Sequence, residues 1–165
     1  MDNKQIPMEA IDLAKEFEGF KDKPYKCPAG YWTVGYGHLC NKDFPELSEN
    51  DAHRILIKDL NIAMDAVLKY CPNLASFGEK KLAAIIDFTF NLGAERLKDS
   101  TLRKRINEAD WDASAVELGK WVNGGGVKLR GLVIRRKAEA ELLLDKLASK
   151  DIRGYLYRHK DFGKK

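Results

Sequence analysis

Long apolar runs are missing from this chain. No stretch of about 18 apolar residues occurs, which excludes a membrane-spanning helix by length. The opening residues MDNKQIPMEA are polar and lack the apolar core of a secretory signal, so synthesis as a cytosolic protein is expected. Cysteine is scarce and odd in number. Cys27, Cys40 and Cys71 fall at irregular spacing without a CxxC pair, which argues against a disulfide scaffold and against structural zinc. Histidine is scarcer still in chemical use, since the spacing of His38, His53 and His159 suggests no metal triad. No metal and no cofactor are therefore expected. Internal repeats and low-complexity tracts are also lacking.

What is present is an ordinary globular composition. The 165 residues are 44% hydrophobic and 33% charged, enough for one domain, residues 1–165, with a substantial core. The net charge of +4 is unevenly spread. Residues 1–50 carry 6 basic and 9 acidic side chains, whereas the remainder carries 23 and 16. That second part favours a polyanionic partner or surface.

The chain reads as α+β and mostly helical. Ile6, Ala10, Ile11, Leu13, Ala14 and Phe17 recur at helical spacing, and Gly19 is placed to end that helix just after Glu18. The segment PYKCPAGYWTVGYGHL then predicts a β-hairpin turning at Cys-Pro-Ala-Gly, with a small third strand beyond Gly37. Ser48 with Asp51 and Ser76 with Glu79 have capping-box spacing and open periodic stretches at 49–70 and 77–91. Shorter helices are expected at 94–98, 101–109 and 111–122. A Gly124-Gly125-Gly126 break and a longer helix over 128–149 follow. The outline is two-lobed: a small β-hairpin lobe at 18–48 packed with the first helix, a connecting helix at 49–70, and a helical lobe at 73–165. A cleft between such lobes is a common ligand site.

The chemistry-bearing residues gather in the hairpin. Glu18 closes a helix where Phe17, Phe20 and Tyr25 can crowd it, and desolvation can keep such a carboxyl protonated as a general acid. Cys27 and Thr33 can face it across a gap, and glycines 30, 35 and 37 allow close approach of a substrate. On residue types alone a plainer account stays open. Helix-end glutamates are commonly solvated, hairpin threonines merely suit a strand, and a lone cysteine commonly serves as a small buried hydrophobe.

Order and spacing add to this. Glu-x8-Cys-x5-Thr followed by Val-Gly-Tyr-Gly-His resembles the catalytic segment of the phage-type lysozymes, the endolysin muramidases that include the T-even phage lysozyme. The likeness extends through FNLG at 90–93, STLRKRIN at 100–107, WDASAVELGKW at 111–121 and NGGGVKLRGLVIRRKAEAELL at 123–143. It implies a two-lobed lysozyme-like fold. The implied activity is hydrolysis of the β-1,4 bond between N-acetylmuramic acid and N-acetylglucosamine in bacterial peptidoglycan, causing lysis of the host cell. By this resemblance Glu18 is the general acid, Cys27 stands in place of the usual aspartate, and Thr33 lies beside the attacking water. Leu39 and Phe90 touch the sugar chain, Thr101 lines the far wall, His38 pairs with Asp59, and Gly35 and Gly37 flank the site. Glu117 falls where the T-even enzyme has a cleft asparagine, and that role is not carried over.

The implied partner is peptidoglycan, reached from the host cytoplasm after a holin permeabilises the membrane. Action then takes place in the periplasm and wall, by a monomer without a cofactor and without nucleic acid. Two rivals are a lytic transglycosylase, using a single glutamate, and a basic helical module that binds nucleic acid.

Cys27 is the departure from pattern. A thiol with a pKa of about 8.5 is mostly neutral at pH 7 and a poorer base than aspartate unless neighbours favour the thiolate, as Lys21, Lys23 and Lys26 could. Inversion through a water held by Cys27 and Thr33 is the first choice, and retention through a thioglycoside the second. Arg135, Arg136 and Lys137 read as a solvated helix face, with a wall-binding role as the alternative. Trp111 and Trp121 read as core. The tail 150–165, with 6 basic and 2 acidic residues, either packs its aromatics back on the helical lobe or contacts an anionic envelope surface.

Overall fold

A computed structural model describes residues 5–159. The first helix, α1 (Met8–Glu18), buries Ala10, Ile11, Leu13 and Ala14 and stops at Gly19, whose φ of 67° is unfavourable for a side-chain-bearing residue. The chain then forms a three-stranded antiparallel sheet of β1 (Lys21–Lys26), β2 (Trp32–Gly35) and β3 (His38–Leu39), in the order β1-β2-β3. Tyr25 pairs with Thr33, and Val34 with His38. One face of β2 is covered: Gly35 lies against α2 (Glu49–Tyr70), and a Cβ there would stand 3.3 Å from the Cβ of Ala52.

The connecting helix α2 starts as its sequence predicts, with the Asp51 N–H donating to the Ser48 hydroxyl at 3.1 Å. It buries Ala52, Leu56, Leu60, Ala63, Met64 and Val67, and its 22 residues span about 33 Å, enough to bridge two lobes. The helical lobe is built around α3 (Glu79–Leu92). Every residue from Leu82 to Thr89 is buried, so α3 is apolar nearly all round and serves as a core helix packed against α1, α2 and α7. Around it lie α4 (Ala94–Lys98), α5 (Thr101–Asn107), α6 (Trp111–Leu118), α7 (Arg130–Leu143) and the short α8 (Tyr155–Arg158). Trp111 meets Phe77 edge-on at 4.9 Å and Trp121 meets Phe88 at 5.7 Å, so both tryptophans pack as expected.

Four sequence-based expectations need correction. Ser76 caps nothing: its hydroxyl donates to the Asn73 carbonyl at 2.6 Å inside a 3-10 turn over Leu74–Phe77, and α3 begins after Gly78 instead. The glycine break is itself a small hairpin, β4 (Asn123–Gly124) with β5 (Val127–Lys128), whose turn residues Gly125 and Gly126 have φ of 59° and 80°. The helix expected to reach 149 ends at Leu143. Lys81 Nζ donates to the Leu143 carbonyl at 2.8 Å, and Asp145, at φ 60°, is held by Lys80 at 2.9 Å. Finally, Arg135 and Arg136 are buried, with 5% and 1% of their side chains exposed, and only Lys137 lies at the surface.

The described part of the tail packs. Ile152 and Tyr155 are buried, the Tyr155 ring lies 6.2 Å from Phe17, and the Leu156 N–H donates to Glu16 at 3.1 Å. Arg153 reaches Asp12 at 3.2 Å. Residues 160–165, with Phe162, lie outside the described residues. Tyr155→Ala should therefore lower unfolding stability by about 3–5 kcal/mol, the range for removing a large buried ring. Urea denaturation monitored by circular dichroism measures it. A surface-like loss below about 0.5 kcal/mol would mean that the tail is not part of the core.

Candidate active site

The site is assembled from the end of α1, the three-stranded sheet and the buried side of α7. Glu18 is the last residue of α1, and its side chain is 21% exposed. One carboxylate oxygen accepts from Nη1 of Arg135 at 2.7 Å. The other lies against the backbone of Gly37, where a Cβ would stand 2.6 Å from Oε2. Gly37 has φ of 73°, so glycine is needed there twice over, for conformation and for space. Crowding by Phe17, Phe20 and Tyr25 was the expected environment of this carboxyl. A guanidinium is its nearest polar partner.

Arg135 is itself anchored. Its Nε and Nη2 donate to both oxygens of the fully buried Asp87, at 2.9 and 2.8 Å, and its guanidinium lies 5.5 Å from the Phe17 ring centre and 6.0 Å from that of Phe90. Burial opposes charge on both partners. Even so, the Arg135 charge and its hydrogen bonds hold the Asp87 carboxyl below its ordinary range, and Asp87 with Glu18 holds Arg135 above its own. Sequence reasoning missed this residue. The available signal was Asp87, a single acid inside the apolar run LAAIIDFTF, which demands a buried cation from elsewhere.

Cys27 occupies the turn between β1 and β2. Its N–H donates to the Tyr31 carbonyl at 2.9 Å, and the Gly30 N–H donates to the Cys27 carbonyl at 2.8 Å. Burial pushes the thiol up. Hydrogen bonds from the backbone of Tyr31, Ala29 and Gly30 and from the Thr33 side chain outweigh it, leaving Cys27 below its ordinary value. The other thiols go the opposite way: burial raises Cys40, and raises Cys71 to about 11. Two of the three lysines expected to favour a thiolate are engaged otherwise, with Lys21 over the Tyr25 ring at 5.9 Å and Lys26 over Trp32 at 5.7 Å. Thr33 is buried, and its hydroxyl lies 3.2 Å from the Tyr31 carbonyl. Tyr25 of β1 pairs with Thr33 across the sheet. Burial first, then the charges of Glu18 and Cys27, push its phenol up.

Beside Gly37 a cleft of about 300 Å³ opens between the lobes, lined by His38 and Leu39 from β3, Asp59, Ile62 and Ala63 from α2, and Thr89 and Phe90 from α3, with Gly93 and Ala94. His38 Nδ1 meets Asp59 Oδ2 at 2.8 Å, pinning the sheet to α2. Leu39 and Ile62 remain 66% and 70% exposed although they line a concavity. Ile62 carried no sequence signal beyond being an apolar residue off the buried face of α2. Thr101 stands apart from this lining, exposed at the start of α5, and Gly35 serves the packing of β2 on α2. Among the described residues no three His, Cys, Asp or Glu side chains are grouped to hold a metal ion, and no helix is long and apolar enough to cross a membrane.

Residues 15–139 match the family described as phage lysozyme. The endolysin of Acyrthosiphon pisum secondary endosymbiont phage 1 is 34% identical over 142 residues, which cover 83% of this chain and 96% of that protein. Two solved structures superpose with a TM-score of 0.76 at 28% identity. They are the muramidase domain of SpmX from Asticaccaulis excentricus, covering 86% of this chain and 99% of that one, and the endolysin from Escherichia coli O157:H7 phage FAHEc1, covering 88% and 96%.

The packing of Gly37 on Glu18 can be isolated from its backbone conformation. Gly30 has a similar φ, 89°, but open space around it. Gly30→Ala should cost about 1–2 kcal/mol, the penalty of a left-handed residue, and Gly37→Ala measurably more. The excess should vanish when Gly37→Ala is made in a Glu18→Ala background, as a double-mutant cycle by urea unfolding would show. Equal costs for the two glycines would mean that the carboxyl is not held against Gly37.

Proposed function

The chain belongs to the phage lysozyme family and is a lysozyme-type endolysin; within that family we propose that it hydrolyses the β-1,4 bond between N-acetylmuramic acid and N-acetylglucosamine of peptidoglycan, with Glu18 as the general acid. The observation that carries this reading is the Glu18 carboxyl, held by Arg135 and packed against Gly37, which lines the inter-lobe cleft, with the Cys27 thiol hydrogen-bonded in the turn of the adjoining sheet. Glu18 delivers its proton to the leaving glycosidic oxygen. A water on the opposite face of the sugar, held by Thr33 and Cys27, gives its proton toward the thiolate as its oxygen attacks the anomeric carbon, so the configuration inverts.

The turn amides of residues 29–31 support the base role of Cys27, because hydrogen bonds to sulfur stabilise the thiolate over the thiol. The exposed apolar side chains Leu39 and Ile62, with Phe90 across the cleft, offer surface for the apolar faces and N-acetyl groups of the glycan. Access to the wall through a membrane-permeabilising holin is proposed on family likeness alone. So is action as a monomer. Contact of the basic tail with an anionic envelope rests on the composition of residues 150–165, although Arg153 is paired with Asp12.

Three variants test the assignment. Glu18→Gln should lower the turnover of wall suspensions by about 100- to 10,000-fold, the range for losing a general acid. The protein should stay folded, because Arg135 keeps its bidentate Asp87 partner. Cys27→Ala should fall in the same range and Cys27→Asp should retain activity, while alkylation with iodoacetamide should inactivate the wild type and spare Cys27→Asp. Proton NMR of the first-formed anomer reports inversion, and mass spectrometry of released muropeptides distinguishes hydrolysis from the anhydro product of a transglycosylase. Full wall clearing by Glu18→Gln would overturn the reading, and full activity of Cys27→Ala would remove the thiol from it.

A further inference from the structure

Eight positions of α2 are exposed, and seven of them carry polar or charged residues. The eighth is Ile62, which is 70% exposed. Substitutions on an exposed helix face change stability little, so the fold itself does not require an apolar side chain at that position. Single exposed apolar residues are ordinary on a protein surface. Ile62 is not single. It lines the inter-lobe cleft together with Leu39, 66% exposed, and among the described residues no other large apolar side chain so exposed lines that space. One comes from the connecting helix and the other from β3, so both would lose water only to something seated between them.

The rest of the lining leaves that space open. Ala63 and Ala94 contribute methyl groups, Gly93 contributes none, and a Cβ placed on Gly93 would meet nothing within 4 Å. The Thr89 hydroxyl donates to the Ile85 carbonyl at 2.8 Å, so its proton is already used. Asp59 differs. Its Oδ2 meets His38 Nδ1 at 2.8 Å, whereas Oδ1 has no partner among the described residues and the side chain is 22% exposed. The cleft therefore offers branched aliphatic walls with one uncommitted carboxylate oxygen beside them.

A group that satisfies both features joins a small apolar end to an N–H donor. On a peptidoglycan glycan the acetamido substituent has that form. Ring hydroxyls lack the methyl, and the flat faces of sugar rings suit an aromatic surface such as Phe90 better than branched chains. We propose that Ile62 is a specificity-determining residue that sets the size of the N-acyl group accepted in the cleft, enclosing the acetamido methyl with Leu39 while Asp59 Oδ1 accepts the acetamido N–H. The inference deepens the muramidase reading and takes its substrate from it. It does not depend on Glu18 being the acid.

Two soluble ligands isolate the N-acyl group: the hexamer of β-1,4-linked N-acetylglucosamine, and the same hexamer with N-propionyl in place of N-acetyl. Each is titrated into the full chain by NMR. In the wild type the added methylene should weaken binding by about tenfold, the lower end of what one methylene changes in an apolar pocket. Ile62→Ala removes three carbons from the wall. It should bind the N-acetyl hexamer less tightly and reduce the propionyl penalty to about twofold or less, since the longer acyl group fills the space released. Ile62→Val keeps most of the wall and should stay close to the wild-type ratio. Val116→Ala, which shortens a side chain 64% exposed on α6 and outside the cleft lining, should leave both dissociation constants in place.

A propionyl penalty that is the same in the wild type and in Ile62→Ala would overturn the proposal, because a general contact surface weakens both ligands in equal proportion. A wild type that binds neither hexamer would overturn it as well. Failure of the general-acid reading would be seen elsewhere, as wall clearing by Glu18→Gln, and the two-hexamer ratio would still report on Ile62.

Discussion

Arg135 is the point on which the rest of the structure turns. Its guanidinium holds Asp87 from α3 with two hydrogen bonds and Glu18 from α1 with a third, and it projects from α7, so three helices meet on one charge that is 5% exposed. A fully buried Asp87 without that partner would be an uncompensated charge, which costs about 3–5 kcal/mol when one member of a buried pair is removed. The fold is therefore bound to place α7 across α1 and α3. In doing so it carries Glu18 to a fixed place at the lip of the cleft.

The opposite wall of the site depends on backbone rather than on charge. Gly37 leaves room for the Glu18 carboxyl, and Gly35 lets β2 settle on Ala52 of α2. The His38–Asp59 contact then ties the sheet to the connecting helix at 2.8 Å. A sheet of three short strands has too little apolar surface to be stable alone, and these contacts with α1 and α2 supply what it lacks. The turn at Cys27 is tight because its N–H and C=O are both used within residues 27–31, and that tightness aims the turn amides at sulfur. The same local geometry that closes the hairpin sets the chemistry of its cysteine.

The acid and the thiol are held by different means. Cys27 is partly exposed and responds to amide and hydroxyl donors within six residues in sequence. Glu18 is held by a cation 117 residues away, which is itself anchored on the buried Asp87. Local hydrogen bonding surrounds one, and a long-range ion pair positions the other.

Much of this was legible in the sequence. Apolar spacing determined α1 and α2 nearly to the residue, because a helix that buries one face must repeat every three to four positions, and Ser48 announced its own cap. The spacing of Glu18, Cys27 and Thr33, and the pairing of His38 with Asp59, followed from motif and resemblance. Only the tertiary structure decided where charge is buried. Arg135-Arg136-Lys137 has the composition of a solvated face, and nothing within its own helix reveals that Arg135 answers Asp87 in the core or that Arg136 and Glu139, three residues apart on α7, are both buried. The end of α7 at Leu143 was likewise settled by Lys80 and Lys81 of α3, more than sixty residues earlier in the chain. Periodicity records how much apolar surface a helix must hide. It does not record which distant acid or carbonyl will be waiting there, since a buried ion needs only one partner and any segment can supply it.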